Sequence, residues 1–208
     1  MKELSVFFTT VIIFISLLSC VKEKSDDTFS FNKYDKSGMI LEEGAILLKV
    51  QKMNDSIKNI QIFKKDSVCI RFDEFENQKG VYRKFSNKFR TYYTYNSSEK
   101  GGTSSIFPPF VNKETWLINE KTVYVDNQGY EVYHYEEMSY CSPSISTYFV
   151  KNLGLIAVLF YDGKKEQYYL CVKIKGDENR TEKLKKINKL VISDSSFFKR
   201  AKYLPCDL

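Results

Sequence analysis

The chain has one histidine, His134, in 208 residues. A single imidazole removes most transition-metal sites, which draw on several histidines or clustered cysteines. There are five cysteines, and no two stand in a Cys-x-x-Cys arrangement. No Gly-x-Ser-x-Gly elbow is present, so a serine hydrolase of that kind has no nucleophile here. Gly101-Gly102 lacks the Gly-Lys-Ser/Thr that completes a phosphate-cradling loop. The doublets Glu42-Glu43, Asp73-Glu74 and Glu136-Glu137 lie in strand-like sequence, where adjacent side chains point to opposite faces. They do not make the convergent pair that glycoside hydrolysis needs. Ser30 with Lys33, and Ser196 with Lys199, match Ser-x-x-Lys spacing, but no Ser-Asp-Asn or Lys-Thr-Gly accompanies them. The sequence therefore assigns no catalytic residue, no metal and no cofactor. His134 itself is expected to be a ring on one face of a strand, satisfied by a neighbour or by water.

Long apolar runs are also scarce. The one candidate, residues 4–18, is interrupted by Thr9, Thr10 and Ser16, and is shorter than the about 20 residues a spanning helix needs. It ends in Leu17-Leu18-Ser19-Cys20. That run resembles the lipobox of bacterial lipoproteins, in which the signal is removed ahead of a cysteine whose sulfur carries a diacylglyceryl group. The resemblance implies lipidation of Cys20 and a signal peptide over residues 1–19. Anchoring by two or more acyl chains gives stable attachment, where a single chain is marginal. Residues 21–27, ending in Ser25-Asp26-Asp27, resemble the surface-export tether of Bacteroidota lipoproteins, and read equally well as an ordinary solvated linker. The address implied is the bacterial outer membrane, on its periplasmic face or at the cell surface.

What is abundant is aromatic: 15 Tyr and 16 Phe. Flat rings suit the pleated surface of a sheet. The net charge of +6 is spread along the chain and interrupted by acids throughout. The densest basic stretch, residues 183–189, reads as the wet face of a helix, so no nucleic-acid partner is expected. Outside the cytoplasm, Cys69, Cys141, Cys171 and Cys206 invite disulfides. Cys141 and Cys206 sit beside prolines in loop-like sequence, and Cys69 and Cys171 lie in strand patterns. The expected pairing is Cys141–Cys206 with Cys69–Cys171; the alternative is free buried thiols.

Residues 20–38 are polar and read as a flexible tether. Beyond them, strand patterns fall at 46–50, 60–63, 68–72, 81–85, 89–95, 116–118, 122–125, 130–138, 146–150, 155–161 and 167–174. Residues 97–105 read as a mobile loop, and Asp162-Gly163-Lys164-Lys165 as a hairpin connection. No long helical pattern separates the strands, so the sheet should be antiparallel and sequentially wound. Leu184, Ile187, Leu190 and Val191 recur at helical spacing behind Thr181, a candidate N-cap. The fold class is mainly β (α+β): a curved antiparallel sheet or half-barrel over residues 39–208, with a short C-terminal amphipathic helix.

Residues 130–135, then Thr147-Tyr148-Phe149-Val150 and Gly154-Leu155-Ile156, are similar to the closing strands of small Bacteroidota lipoproteins. They also look like the late strands of half-barrel lipoprotein carriers. The leading expectation is a lipid-anchored, non-enzymatic envelope protein serving as a binding or structural module. Its partner is the membrane, with a protein or apolar ligand left unnamed. The alternative is a half-barrel binder or carrier of lipid or another apolar ligand, and a surface hydrolase is third. An open apolar cleft would favour the carrier, and a filled concave face the plain module.

Overall fold

Short runs of alternating apolar and polar residues recur along the chain, and each becomes a strand. The structure is a computed structural model, and it describes residues 26–54, 56–85, 88–96, 114–138, 145–161 and 166–199. The strands are β1 (Asp26–Asp35), β2 (Ile40–Lys52), β3 (Ile57–Lys64), β4 (Ser67–Asn77), β5 (Gly80–Phe85) and β6 (Lys88–Thr94). The second half adds β7 (Glu114–Val125), β8 (Gln128–Met138), β9 (Ile145–Val150), β10 (Gly154–Tyr161) and β11 (Glu166–Lys175), then one helix, α1 (Glu178–Ser193). The fold is mainly antiparallel β: a nearly closed, barrel-like sheet with one short C-terminal helix.

The spatial order is β6-β5-β4-β3-β2-β1-β11-β10-β9-β8-β7. Each half is a meander, and β1 joins the halves by pairing with β11 on one side and β2 on the other. Eleven strands in strict alternation leave the two edge strands, β6 and β7, running the same way. Tyrosines bridge this seam. The rings of Tyr93 and Tyr135 lie 4.4 Å apart, those of Tyr95 and Tyr133 4.6 Å apart, and the Tyr135 hydroxyl donates to the Thr94 carbonyl at 2.9 Å.

β1 corrects the sequence reading, which gave residues 20–38 to a tether. Phe29 and Phe31 supply a period-two apolar signal inside an otherwise polar stretch, and both are buried. Two other expectations are revised. Residues 116–118 and 122–125 are one strand, β7, with a bulge between Leu117 and Asn119. The helix begins at Glu178, three residues before Thr181. Asp177 is the N-cap, its carboxylate accepting from the Arg180 amide at 2.8 Å. Thr181 instead ties the helix to β11, its hydroxyl accepting from the Ile174 amide at 3.0 Å.

Turn chemistry sets the register. Lys65-Asp66 and Asp126-Asn127 have positive φ at both positions, which suits two-residue turns whose twist matches the flanking strands. Gly80 opens β5 where a Cβ would come within 2.1 Å of the Tyr93 carbonyl oxygen, so only glycine fits. The predicted loop at 97–105 and hairpin connection at 162–165 lie outside the described residues.

Directly paired residues share a face, so the ladders sort the core into two layers. The inner face carries Phe29, Leu48, Val50, Ile60, Ile62, Phe72, Tyr133 and Phe149. On the other face, α1 buries Leu184, Ile187 and Val191 against β7, β10 and β11. Lys121 pairs with Asp194 at 2.5 Å and Lys186 with Asp126 at 2.8 Å, clasping the helix to the β7–β8 hairpin.

Candidate functional site: a cleft on the inner face

The inner face is packed shut under the tyrosine seam but open between β1–β5 and the β9–β10 turn. The opening is a cavity of about 350 Å³. This lies within the range of small-molecule pockets, about 300–1,000 Å³. The pairing shows how the sequence builds it, row by row. Phe29, Leu48 and Ile62 form one row across β1, β2 and β3. Val50, Ile60 and Phe72 form the next across β2, β3 and β4, with Asp27 at its β1 end. Above them runs a charged row: Lys52 opposite Lys58, Lys58 opposite Glu74, and Glu74 opposite Arg83. Phe149, Leu153 and Leu155 close the far wall, and Arg180 at the start of α1 completes the mouth.

The charged row is unevenly paired. Arg83 Nε donates to Glu74 Oε2 at 2.9 Å, with both side chains nearly buried, and the guanidinium lies over the Phe72 ring at 4.4 Å. Arg180 donates to Asp27 at 2.8 Å and lies over the Phe29 ring at 5.7 Å. Lys52 and Lys58 face each other directly, and neither forms an ion pair among the described residues. Four cations thus stand against two carboxylates around the cleft.

His134 belongs to a different cluster, on the helix face of β8 and β9. Its Nε2 lies 2.9 Å from Glu136 Oε1, which also accepts from the Ser146 hydroxyl at 2.6 Å. The carboxylate stands between serine and imidazole, whereas a nucleophilic triad needs the imidazole in the middle. Tyr148 stacks on the ring at 4.6 Å and Phe197 covers its edge. The Tyr148 hydroxyl accepts from the Lys199 amide at 3.0 Å, fastening the C-terminal segment over the cluster. His134 is 1% exposed; Glu136 meets its Nε2, as a neighbour was expected to, while its Nδ1 is buried without a hydrogen-bond partner among the described residues.

The carboxylate doublet at 73–74 divides as expected. Asp73 accepts from Asn59 on the outer side, while Glu74 turns into the cleft. At the opposite end of the sheet from the cleft, the β1–β2 turn exposes Met39, Ile40 and Leu41.

Cys171 is a free, buried thiol with its Sγ 4.0 Å from the Lys173 carbonyl oxygen. Burial pushes its pKa up to about 12. The expected Cys69–Cys171 bond is not made, because β4 and β11 are separated by β3, β2 and β1. Cys20, Cys141 and Cys206 lie outside the described residues. The cleft residues went unnoticed in the sequence, although one signal was available. Lysine at 52 and 58 and glutamate at 74 sit two residues from Val50, Ile60 and Phe72, so each strand carries a charge at the end of its apolar face. No family model, no curated protein and no solved structure matches this chain.

Proposed function

We propose that the protein is a lipid-anchored, non-enzymatic binding module whose inner cleft takes an apolar ligand. The observation that carries this reading is the cleft: apolar side chains of β1–β4, with Phe149, Leu153 and Leu155, line a cavity of about 350 Å³. The carboxylates that face it, Asp27 and Glu74, are both engaged by arginine, which favours binding over hydrolysis. The anchor is argued from Cys20. Five residues lie between it and Asp26, where β1 begins, and the six steps of an extended chain reach about 20 Å. Asp27 lines the cleft, so a lipidated Cys20 would keep the mouth close to the bilayer surface.

The test is organic extraction of the full chain, purified from membranes in an amphipathic polymer, followed by mass spectrometry. The wild type should release a stoichiometric apolar compound. Val50→Trp, which fills the cleft, should release far less. Equal amounts from both proteins, or none from either, would contradict the proposal. Anchoring is checked separately: Cys20→Ser should abolish incorporation of a fatty-acid analogue, and unchanged labelling would refute the lipobox.

A further inference from the structure

The geometry points to a specific ligand class for this cleft: a single-chain amphiphile with an anionic head, held at the mouth by Lys52 and Lys58. The inference rests on the binding function proposed above and adds the chemistry of recognition. Its basis is the order of the rows. From the inside outward they run apolar, apolar, charged. That gradient matches a molecule with a hydrocarbon tail and a charged end.

The sign of the head follows from the pairing. Like charges placed directly opposite on neighbouring strands are destabilising, yet Lys52 and Lys58 are cross-strand partners that both face the cleft. The nearest acid in the row, Glu74, is already held by Arg83 at 2.9 Å, and Asp27 is held by Arg180 at 2.8 Å. The row therefore has cationic charge left over at one place, between the two lysines. A carboxylate or phosphate monoester there would relieve their repulsion and accept charge-assisted hydrogen bonds from both ammonium groups. Arg180 faces the same mouth and adds to the positive field. The cavity, at about 350 Å³, is at the small end of ligand pockets, which favours one chain over two.

The test uses the anchored full chain in membrane vesicles and two photoreactive probes. Both carry a diazirine on the same hydrocarbon chain; one ends in a carboxylic acid and the other in an alcohol. Labelling is done at mildly alkaline pH, where the acid probe is ionised. After normalisation to each probe's content in the bilayer, the acid should label peptides of β2 and β3 about tenfold more than the alcohol, equivalent to one good charge contact. In Lys52→Gln/Lys58→Gln that ratio should fall to near unity with alcohol labelling unchanged. Both positions are at the rim, and an unaltered thermal transition will show that the variant folds.

A ratio near unity in the wild type would overturn the anionic head while leaving the apolar cleft standing. A ratio that survives in the double variant would overturn the role of the lysines. Displacement of the acid by inorganic phosphate at the same concentration would mean a site for the head alone and would overturn the amphiphile. Absence of labelling in the cleft by either probe would remove the proposed function as well.

Discussion

Burial acts on single residues here chiefly through their protons. Desolvation pushes the thiol of Cys171 up to about 12, from an ordinary value of about 8.5. Tyr95 and Tyr135 are raised by burial first. The hydrogen bond from the Tyr95 hydroxyl to Glu76 and the neighbouring Tyr93 add to this. The unfolded chain ionises these groups at ordinary pH values, while the folded chain holds their protons. Above about pH 8.5 the folded state therefore binds more protons, and stability falls as pH rises. The thiol's share is present in full below its unfolded pKa and declines toward pH 12. Denaturant midpoints measured across this alkaline window should decrease steadily. Cys171→Ala should be less stable throughout but show a shallower initial decline. A midpoint flat across the window would contradict the burial of these groups. In native protein at neutral pH, Cys171 should also resist maleimide and react only on unfolding.

At the scale of elements, the cleft depends on rows of residues that run across strands. The β4–β5 row places Arg83 against Glu74 in a nearly buried position. Arg83→Met keeps the packing over Phe72 but strands the carboxylate, and such unpaired buried charges cost about 3–5 kcal/mol. Pairing it with Glu74→Leu should restore most of that loss, a result that urea unfolding of the single and double variants would read directly. If the single variant is as stable as the wild type, the pair is not buried as described. Most strands were legible in the sequence, because period-two alternation of Ile, Val, Phe and Tyr is a local signal. β1 was not, since two phenylalanines among polar residues mark a strand only once β2 and β11 are seen to flank it. The N-cap was misplaced for a related reason. Thr181 has the chemistry of a cap, but its hydroxyl is taken by the end of β11. The cleft was least legible of all, since cross-strand register is a long-range property and Lys52, Lys58, Glu74 and Arg83 come from four strands.

The whole molecule is a sheet that curls until its edges nearly meet, and its odd number of strands leaves a seam that side chains must close. Tyr93, Tyr95, Tyr133, Tyr135 and Phe149 fill the inner face beneath that seam. The aromatic filling stops short of β1–β4, and the cleft is the remainder. Helix α1 packs on the other face, so it leaves the cavity open and contributes only Arg180 to its mouth. The chain's only tryptophan, Trp116, lies opposite Glu136 and so shares the helix face, away from the cleft. That placement permits a direct test. A fatty acid brominated along its chain should quench a tryptophan introduced as Phe72→Trp in a Trp116→Phe background, to saturation, because Phe72 lines the cleft. The same ligand should leave Trp116 of the wild type unquenched beyond what free probe produces. Equal quenching at both positions, or none at position 72, would contradict the central claim that the inner cleft is where this protein binds an apolar chain.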